Sequence, residues 1–191
     1  MNFTSAVRAF PVLFLLSLQL ARAQDVPLPP KPQDAGPTLE ATLKFIQYKL
    51  PSKVSYIEHL HNDLKGTDDS QKWTMETSNV SADTGRCTLA YQYQMNVGDR
   101  TDSGATRYVL PLKNVSDIEV MPYEEAMNLK SAKGGNPELK YVIDPSISAL
   151  LLNPGRGEIQ FLFYDETLSH RVAKALQHAV ELCGGGNKEP F

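Results

Sequence analysis

The amino-acid sequence predicts an α+β fold: a mostly antiparallel β-barrel or β-sandwich of about seven strands, closed by a C-terminal amphipathic helix and preceded by an extra N-terminal helix. Two observations predict it. Between residues 53 and 164, short segments with alternating apolar residues are separated by turn signals rich in Gly, Asn and Asp, as in successive antiparallel strands. Residues 165–183 then repeat apolar side chains at helical spacing. Such a helix can cover the open edge that a run of antiparallel strands leaves.

The first 23 residues have the features of an export signal. Arg8 precedes an apolar segment at residues 9–20, and residues 21–23 give the small-x-small pattern that signal peptidase cleaves. The apolar segment is shorter than the about 20 residues that a membrane-spanning helix needs. We therefore predict cleavage before Gln24 and an exported protein, periplasmic or secreted, that is soluble after cleavage.

The rest of the chain is predicted to hold one domain. Residues 24–37 are rich in proline and form an extended linker, because proline interrupts both helices and central strands. Residues 38–186 form a single domain that is long enough to bury a sizeable core. Residues 187–191 form a C-terminal tail.

The first helix is predicted from a cap and a periodic stripe. Thr38 can cap its start, and Pro51 ends it. One apolar face is formed by Leu39, Leu43, Ile46 and Leu50. This spacing is typical of a helix that packs on a core.

Strands and turns follow. The predicted strands are 53–62, 71–79, 86–97, 105–112, 117–121, 138–144, 146–152 and 158–164. The first turn is placed at residues 65–70. The longest interruption, residues 123–138, is compatible with a short helix and is polar enough to lie outside the core.

The last helix has a clear start, face and stop. Asp165 is a good N-cap, and Glu166 puts a negative charge in the first turn, where the helix dipole favours it. Gly184 can adopt the left-handed conformation that ends a helix. The core-facing stripe consists of Leu168, Val172, Ala175, Leu176, Ala179 and Cys183.

Two cysteines are predicted to form a disulfide bond. Cys87 begins an alternating series that ends at Val97, which places it on the core side of a strand. Cys183 lies on the apolar stripe of the last helix, so both thiols point inward. An exported protein meets an oxidising compartment, which favours the bond. The alternative is two buried free cysteines.

The order of strands followed by one long C-terminal helix resembles the pleckstrin-homology-like superfold. The stretch "YVLPLKNVSDIEVMP", 108–122, is similar to a strand–turn–strand unit of such domains, and "IQFLFYDETLSHRVAKAL", 159–176, to their last strand and capping helix. The chain is also similar to small, exported, uncharacterised bacterial proteins that end in "AVELCGG". This resemblance implies a pleckstrin-homology-like domain but no activity. The rival fold is a cystatin-like sheet wrapped on the first helix.

The charge pattern argues against two classes of partner. Lipid-binding members of the superfold use a basic cluster around the first hairpin, but here Lys65 and Lys72 accompany Asp63, Asp68 and Asp69. We therefore expect no binding to anionic lipid. The formal net charge of −3 and the absence of a basic run in the sequence argue against nucleic acid as a main partner.

The sequence offers two candidate metal sites. His59 and His61, two residues apart on a strand, project from one face and could share zinc with Asp63. Two solvated surface histidines are the simpler reading, since a zinc site needs three or four converging ligands. Asp99 and Asp102 could bind calcium, but their segment lacks the ligand spacing of a calcium loop and is interpreted as a hairpin turn.

Aromatic residues give a further candidate. Trp73 and Met75 on one strand, with Tyr91 and Tyr93 on another, could line an apolar pocket or fill the core. No converging catalytic set is found in the sequence. The favoured function is therefore a non-catalytic exported module, without a cofactor, that binds a protein or small ligand of the cell envelope through a sheet edge or the 123–138 segment. The alternatives are a metal-dependent enzyme centred on the histidine pair and a purely structural envelope component.

Overall fold

The computed structural model describes residues 36–98, 104–155 and 157–186. The predicted signal peptide at 1–23, nearly all of the linker at 24–37, the tail at 187–191 and the acidic pair Asp99 and Asp102 lie outside the described residues. In the described residues, no helix is both long enough and apolar enough to cross a membrane.

The described part contains α-helices, a 3-10 helix and β-strands in two antiparallel sheets. In chain order the elements are α1 (Leu39–Lys49), β1 (Ser52–Asn62), β2 (Thr67–Asp83), β3 (Thr88–Val97), β4 (Thr106–Pro111), the 3-10 helix (Leu112–Asn114), β5 (Asp117–Pro122), α2 (Tyr123–Lys133), β6 (Leu139–Val142), β7 (Ser148–Asn153), β8 (Ile159–Phe163) and α3 (Glu166–Leu182). The predicted α+β class is confirmed.

The strands divide into a large and a small sheet. The large sheet has the order β4-β3-β2-β1-β6, and the small sheet has the order β5-β7-β8. Helix α1 packs against α3 and β2. This arrangement differs from the cystatin-like alternative, in which a single sheet wraps around the first helix.

Strand β2 contributes to two separate parts of the core because it changes face midway. Met75 and Thr77 are buried at alternating positions, but the next buried position is Val80. The pairing with β3 is irregular at this point, and Asn79 adopts a φ of 49°. An extra residue in a strand reverses which side chains point inward, so a single strand can serve both clusters.

The small sheet is buried on both faces. In β7, Leu150 and Leu152 join a first cluster, while Ala149 and Leu151 join a second. The first cluster also contains side chains from α1, β3, β4 and α3, and the second contains side chains from β1, β2, β6 and α2. This double burial explains why β7 has a continuous apolar sequence instead of an alternating one.

Helix α3 begins and ends where the sequence predicts. The Asp165 Oδ1 atom accepts a hydrogen bond of 3.0 Å from the Leu168 backbone N–H. Val172 and Leu176 are fully buried on its core face. Gly184 has a φ of 77°, which fits the left-handed conformation that ends a helix.

The prediction that residues 123–138 lie outside the core is wrong. Tyr123, the first residue of α2, is only 1% exposed and belongs to the second cluster. Polar side chains of α2 also bind the outer edge of β6. Asn128 accepts a hydrogen bond of 2.8 Å from Tyr141 N–H and donates one of 3.0 Å to Tyr141 C=O, and Glu124 accepts from Ile143 N–H. The polar residues therefore cover a sheet edge.

The first turn is also shorter than predicted. The β1–β2 pairing continues to Asn62 opposite Thr67, so residues 67–70 belong to β2 and the turn is confined to residues 63–66. The Asn62 carboxamide oxygen accepts hydrogen bonds from the N–H groups of Leu64 and Lys65, which stabilises this tighter turn.

The prediction that Cys87 lies within a strand is wrong. Cys87 is half-buried in the turn before β3 and has a φ of 52°. The alternation that begins at Leu89 is real, but Asp83 Oδ1 accepts a hydrogen bond from Arg86 N–H and closes the turn before the strand starts. The structure joins Cys87 to Cys183, at the C-terminus of α3, by a disulfide with a Cα–Cα distance of 5.8 Å.

Candidate ligand-binding groove

An open cavity of about 320 Å³ lies between strands β3 and β4 on one side and the start of β8 on the other. We call it the tyrosine groove. It is lined by Tyr91, Tyr93, Met95, Tyr108, Lys130, Glu158, Ile159 and Gln160. It therefore combines an aromatic wall from the large sheet with polar groups from α2 and β8.

The aromatic wall follows from strand alternation and register. Tyr91 and Tyr93 lie two residues apart on β3 and share a face. Tyr108 of β4 pairs directly with Tyr91, and their rings stack with centroids 5.6 Å apart. Tyr91 also meets the Phe161 ring edge-on at 5.1 Å. Tyr91 is thus held in the core, whereas Tyr108 is 45% exposed and forms the outer part of the wall.

The hydroxyls of Tyr91 and Tyr93 stay protonated at neutral pH. Burial raises the pKa of Tyr91 to about 12. Burial also raises the pKa of Tyr93 to about 12, and hydrogen bonding to the Gln160 side chain opposes this rise. These groups can therefore donate or accept hydrogen bonds, but they do not act as bases near neutral pH.

A buried polar network adjoins the groove. Gln160 also interacts with the hydroxyl of Tyr123, and the Tyr123 and Tyr56 hydroxyls lie 3.0 Å apart. Glu58, on the same strand as Tyr56, is only 8% exposed. The pKa of Glu58 is raised, mainly by burial. The nearby Trp73 indole N–H opposes this rise, and the charge of Asp69 adds to it.

The predicted aromatic set divides between the groove and the core. Tyr91 and Tyr93 line the groove, whereas Met75 is buried in the second cluster and Trp73 packs against it. Trp73 Nε1 is buried and has no partner of hydrogen-bond geometry among the described residues, although the Glu58 carboxylate is close enough to be affected by it.

The predicted metal ligands form a different arrangement at the β1–β2 hairpin. His59 and His61 lie on the same face of β1, as predicted, but His59 Nδ1 lies 2.7 Å from Ser70 Oγ. His61 contacts Asp68 through Nδ1 at 2.6 Å and Asp63 through Nε2 at 3.2 Å. No group of three or more His, Cys, Asp or Glu side chains in the described part is arranged to hold a metal ion.

Asp63 has a second partner. Lys140 Nζ lies 2.5 Å from Asp63 Oδ2, and this hydrogen bond with the ammonium group holds the pKa of Asp63 below its ordinary value. The hairpin thus brings together His61, Asp63, Asp68 and Lys140 in a network of charged and hydrogen-bonding groups. His59 lies beside this network, with Ser70.

Sequence reasoning missed several groove residues. Tyr108 could have been found, because an alternating β4 that pairs with β3 must place one of its side chains next to Tyr91 or Tyr93. Lys130, Glu158 and Gln160 come from α2 and the start of β8, far from β3 in the sequence. Only the packing of the two sheets brings them to the same cavity.

Comparisons with known proteins give no family assignment: no protein-family model, no curated protein and no solved structure matches the chain.

Proposed function

We propose that this chain is an exported, non-catalytic binding module with a pleckstrin-homology-like domain, and that it binds a protein or small ligand of the cell envelope in the tyrosine groove. The observation that carries the proposal is the groove itself. Ligand sites are concave, are largely apolar or aromatic, and have a few polar groups that fix orientation. Three tyrosines, Met95 and Ile159 provide the first feature, and Lys130, Glu158 and Gln160 provide the second.

Two further features support the location and fold in this proposal. A disulfide between Cys87 and Cys183 is stable in an oxidising compartment, which agrees with export by the predicted signal peptide. The order of strands in two antiparallel sheets followed by a long C-terminal helix agrees with a pleckstrin-homology-like domain.

Small aromatic probes test the groove. Indole and N-acetyl-tyrosinamide, titrated into isotope-labelled protein, are expected to shift backbone amide NMR signals of β3, β4 and the start of β8. Tyr108→Ala should remove most of the response, because it deletes the exposed part of the aromatic wall. Tyr48→Ala is the matched control, since Tyr48 is 77% exposed on α1 and lies outside the groove. NMR shifts of the same size in the Tyr108→Ala variant, or no shifts at millimolar probe concentration, would refute the proposal.

The metal-dependent enzyme is the second candidate. Of its three predicted ligands, His61 and Asp63 are in contact, whereas His59 bonds to Ser70. Elemental analysis of protein purified without chelator distinguishes the two. We expect no stoichiometric zinc. Stoichiometric zinc that disappears in the His59→Ala, His61→Ala double variant would favour the metal enzyme.

A further inference from the structure

We propose that the free edge of β4 binds an extended peptide as an added antiparallel strand, and that one apolar or aromatic side chain of this peptide enters the tyrosine groove. The inference rests on the proposed function and specifies the ligand class. It depends on three observations: the direction of the backbone hydrogen-bonding groups of β4, the lack of a covering element within the described residues, and the exposure of Tyr108 beside the groove.

The direction of the backbone groups follows from the β3–β4 register. Leu112 N–H donates a hydrogen bond of 2.9 Å to Cys87 C=O, directly beyond the pair formed by Thr88 and Pro111. Hydrogen-bonded pairs alternate along an antiparallel ladder. Even-numbered residues of β4 therefore bond to β3, whereas Arg107 and Val109 direct their N–H and C=O groups away from the sheet.

Among the described residues, this edge of the large sheet is more open than the opposite one. In the described part, β3 is the one element that packs extensively on β4. At the other side of the sheet, Asn128 covers β6 through Tyr141, and the Tyr164 hydroxyl bonds both N–H and C=O of Ser55 on β1. Side chains thus bind the backbone of β6 and of Ser55 at the far edge, whereas no described side chain is shown to bind the outward backbone groups of β4.

The side chains of β4 fit an added strand. Tyr108 faces the groove and is 45% exposed, whereas Val109 points to the opposite face and is 59% exposed. A peptide residue opposite Tyr108 in an antiparallel pair projects on the same face as Tyr108, towards the groove. Backbone bonds to Arg107 and Val109 would supply affinity, and the groove would supply side-chain selectivity, as in other strand-addition complexes.

The groove favours a peptide over a second copy of this chain. A second copy would offer its own β4, in which the side chain facing the groove is a Tyr108 already stacked on Tyr91. Its strand also ends at Pro111, which has no N–H to donate. Neither limit applies to a peptide, whose side chain is free to fill the cavity.

A synthetic peptide with the sequence KTVFVTK, acetylated and amidated at its ends, is the probe. Its phenylalanine can lie opposite Tyr108, which places the two valines opposite Arg107 and Val109. A copy with N-methyl groups on both valine amides keeps the side chains but cannot donate the two backbone bonds. We expect N-methylation to weaken binding about tenfold or more, measured by NMR titration, because two hydrogen bonds are lost.

Two protein variants complete the test. Val109→Pro removes an N–H that faces away from β3, so it should block the peptide without breaking a bond within the sheet; circular dichroism checks its fold. It should weaken binding about as much as N-methylation. Tyr108→Ala should abolish the preference for phenylalanine over alanine in the peptide, and Tyr48→Ala should change nothing.

The outcomes separate the inference from the proposed function. Equal affinity of the N-methylated and unmodified peptides overturns strand addition, and this comparison holds even if Val109→Pro fails to fold. A wild-type dimer that Val109→Pro converts to a monomer would assign the edge to a second copy and overturn the peptide. Small probes that bind the groove without any peptide binding would overturn this inference alone. Failure of both would overturn both proposals.

Discussion

Gly185 lies where the chain leaving α3 packs against the 3-10 helix. A Cβ atom at this position would lie 2.8 Å from Leu112 O, 2.9 Å from Val180 Cγ1 and 3.0 Å from Lys113 Cα. Two of these atoms belong to the backbone and cannot move aside as the end of a flexible side chain can. The contact therefore depends on glycine for space.

We expect Gly185→Ala to lower the free energy of unfolding by about 1–3 kcal/mol, because overpacking forces the backbone to shift. Gly104→Ala is the control, since a Cβ there meets nothing within 4 Å. Urea unfolding of both variants checks the prediction. Equal stability of the two would show that the end of α3 can move away from the 3-10 helix without cost.

Glu58 gives stability a pH dependence of known sign. Burial raises its pKa above the ordinary value of 4.5, so the folded chain keeps the proton over a range in which the unfolded chain has lost it. The contribution of this group to stability therefore falls as the pH rises from 4.5 through the raised pKa, and it stays low above that.

Glu58→Gln should remove this penalty. The variant is expected to be more stable than the wild type at about pH 7, with the difference shrinking as the pH falls through the raised pKa to the ordinary value of 4.5. Glu119→Gln, at an exposed position on β5, is the control. Unfolding curves at several pH values measure the difference in free energy of unfolding between the Glu58→Gln variant and the wild type. A difference that does not change with pH would contradict the prediction.

The elements show which features a sequence predicts on its own. The bounds of α1 and α3 could be predicted because their caps, Thr38 and Asp165, and their apolar stripes are local. The length of β2 and the burial of α2 could not, since both depend on contacts distant in sequence. The bulge at Asn79 lets β2 place Met75 in the second cluster and Val80 in the first. Asn128 is polar because its side chain binds the backbone of Tyr141 on β6.

The same reasoning applies to the candidate site. Alternation along β3 predicts that Tyr91 and Tyr93 share a face, but it does not say whether that face is filled or open. The answer depends on how the start of β8 and Lys130 of α2 approach the large sheet. The wall of the groove opposite the tyrosines therefore depends on tertiary packing and cannot be predicted from local sequence.

The disulfide ties α3 to the β2–β3 turn across a sequence separation of 96 residues. In the chain-entropy model a bond that closes such a loop stabilises the fold by about 4 to 5 kcal/mol, less any strain. Cys87→Ser should lower the melting temperature accordingly. Thiol counting on denatured, unreduced protein should find no free thiol, and two per chain would refute the bond.

The charges of the whole molecule predict how it behaves at a membrane. At the β1–β2 hairpin, Asp63 and Asp68 are engaged with His61, and Asp63 also pairs with Lys140. The chain as a whole has a formal net charge of −3. Neither feature provides the basic cluster that an anionic head group requires.

We therefore expect vesicles that contain anionic lipid not to retain the protein at physiological salt. Co-sedimentation with anionic and with neutral vesicles provides the measurement and its control. Retention on anionic vesicles alone, lost at high salt, would reveal a basic surface that this charge distribution does not account for.

The Tyr164 hydroxyl on Ser55 has a consequence for self-association. Growth of a fibre by edge-to-edge pairing through one sheet needs both edges of that sheet to be available, so that every molecule added offers a new one. In the large sheet, Tyr164 binds Ser55 and Asn128 binds Tyr141 on the β1–β6 side, which leaves β4 as the more open edge of this sheet among the described residues. Two molecules that pair through β4 therefore use the more open edge of both large sheets, and further growth through this sheet would have to begin at the partly occupied β1–β6 side.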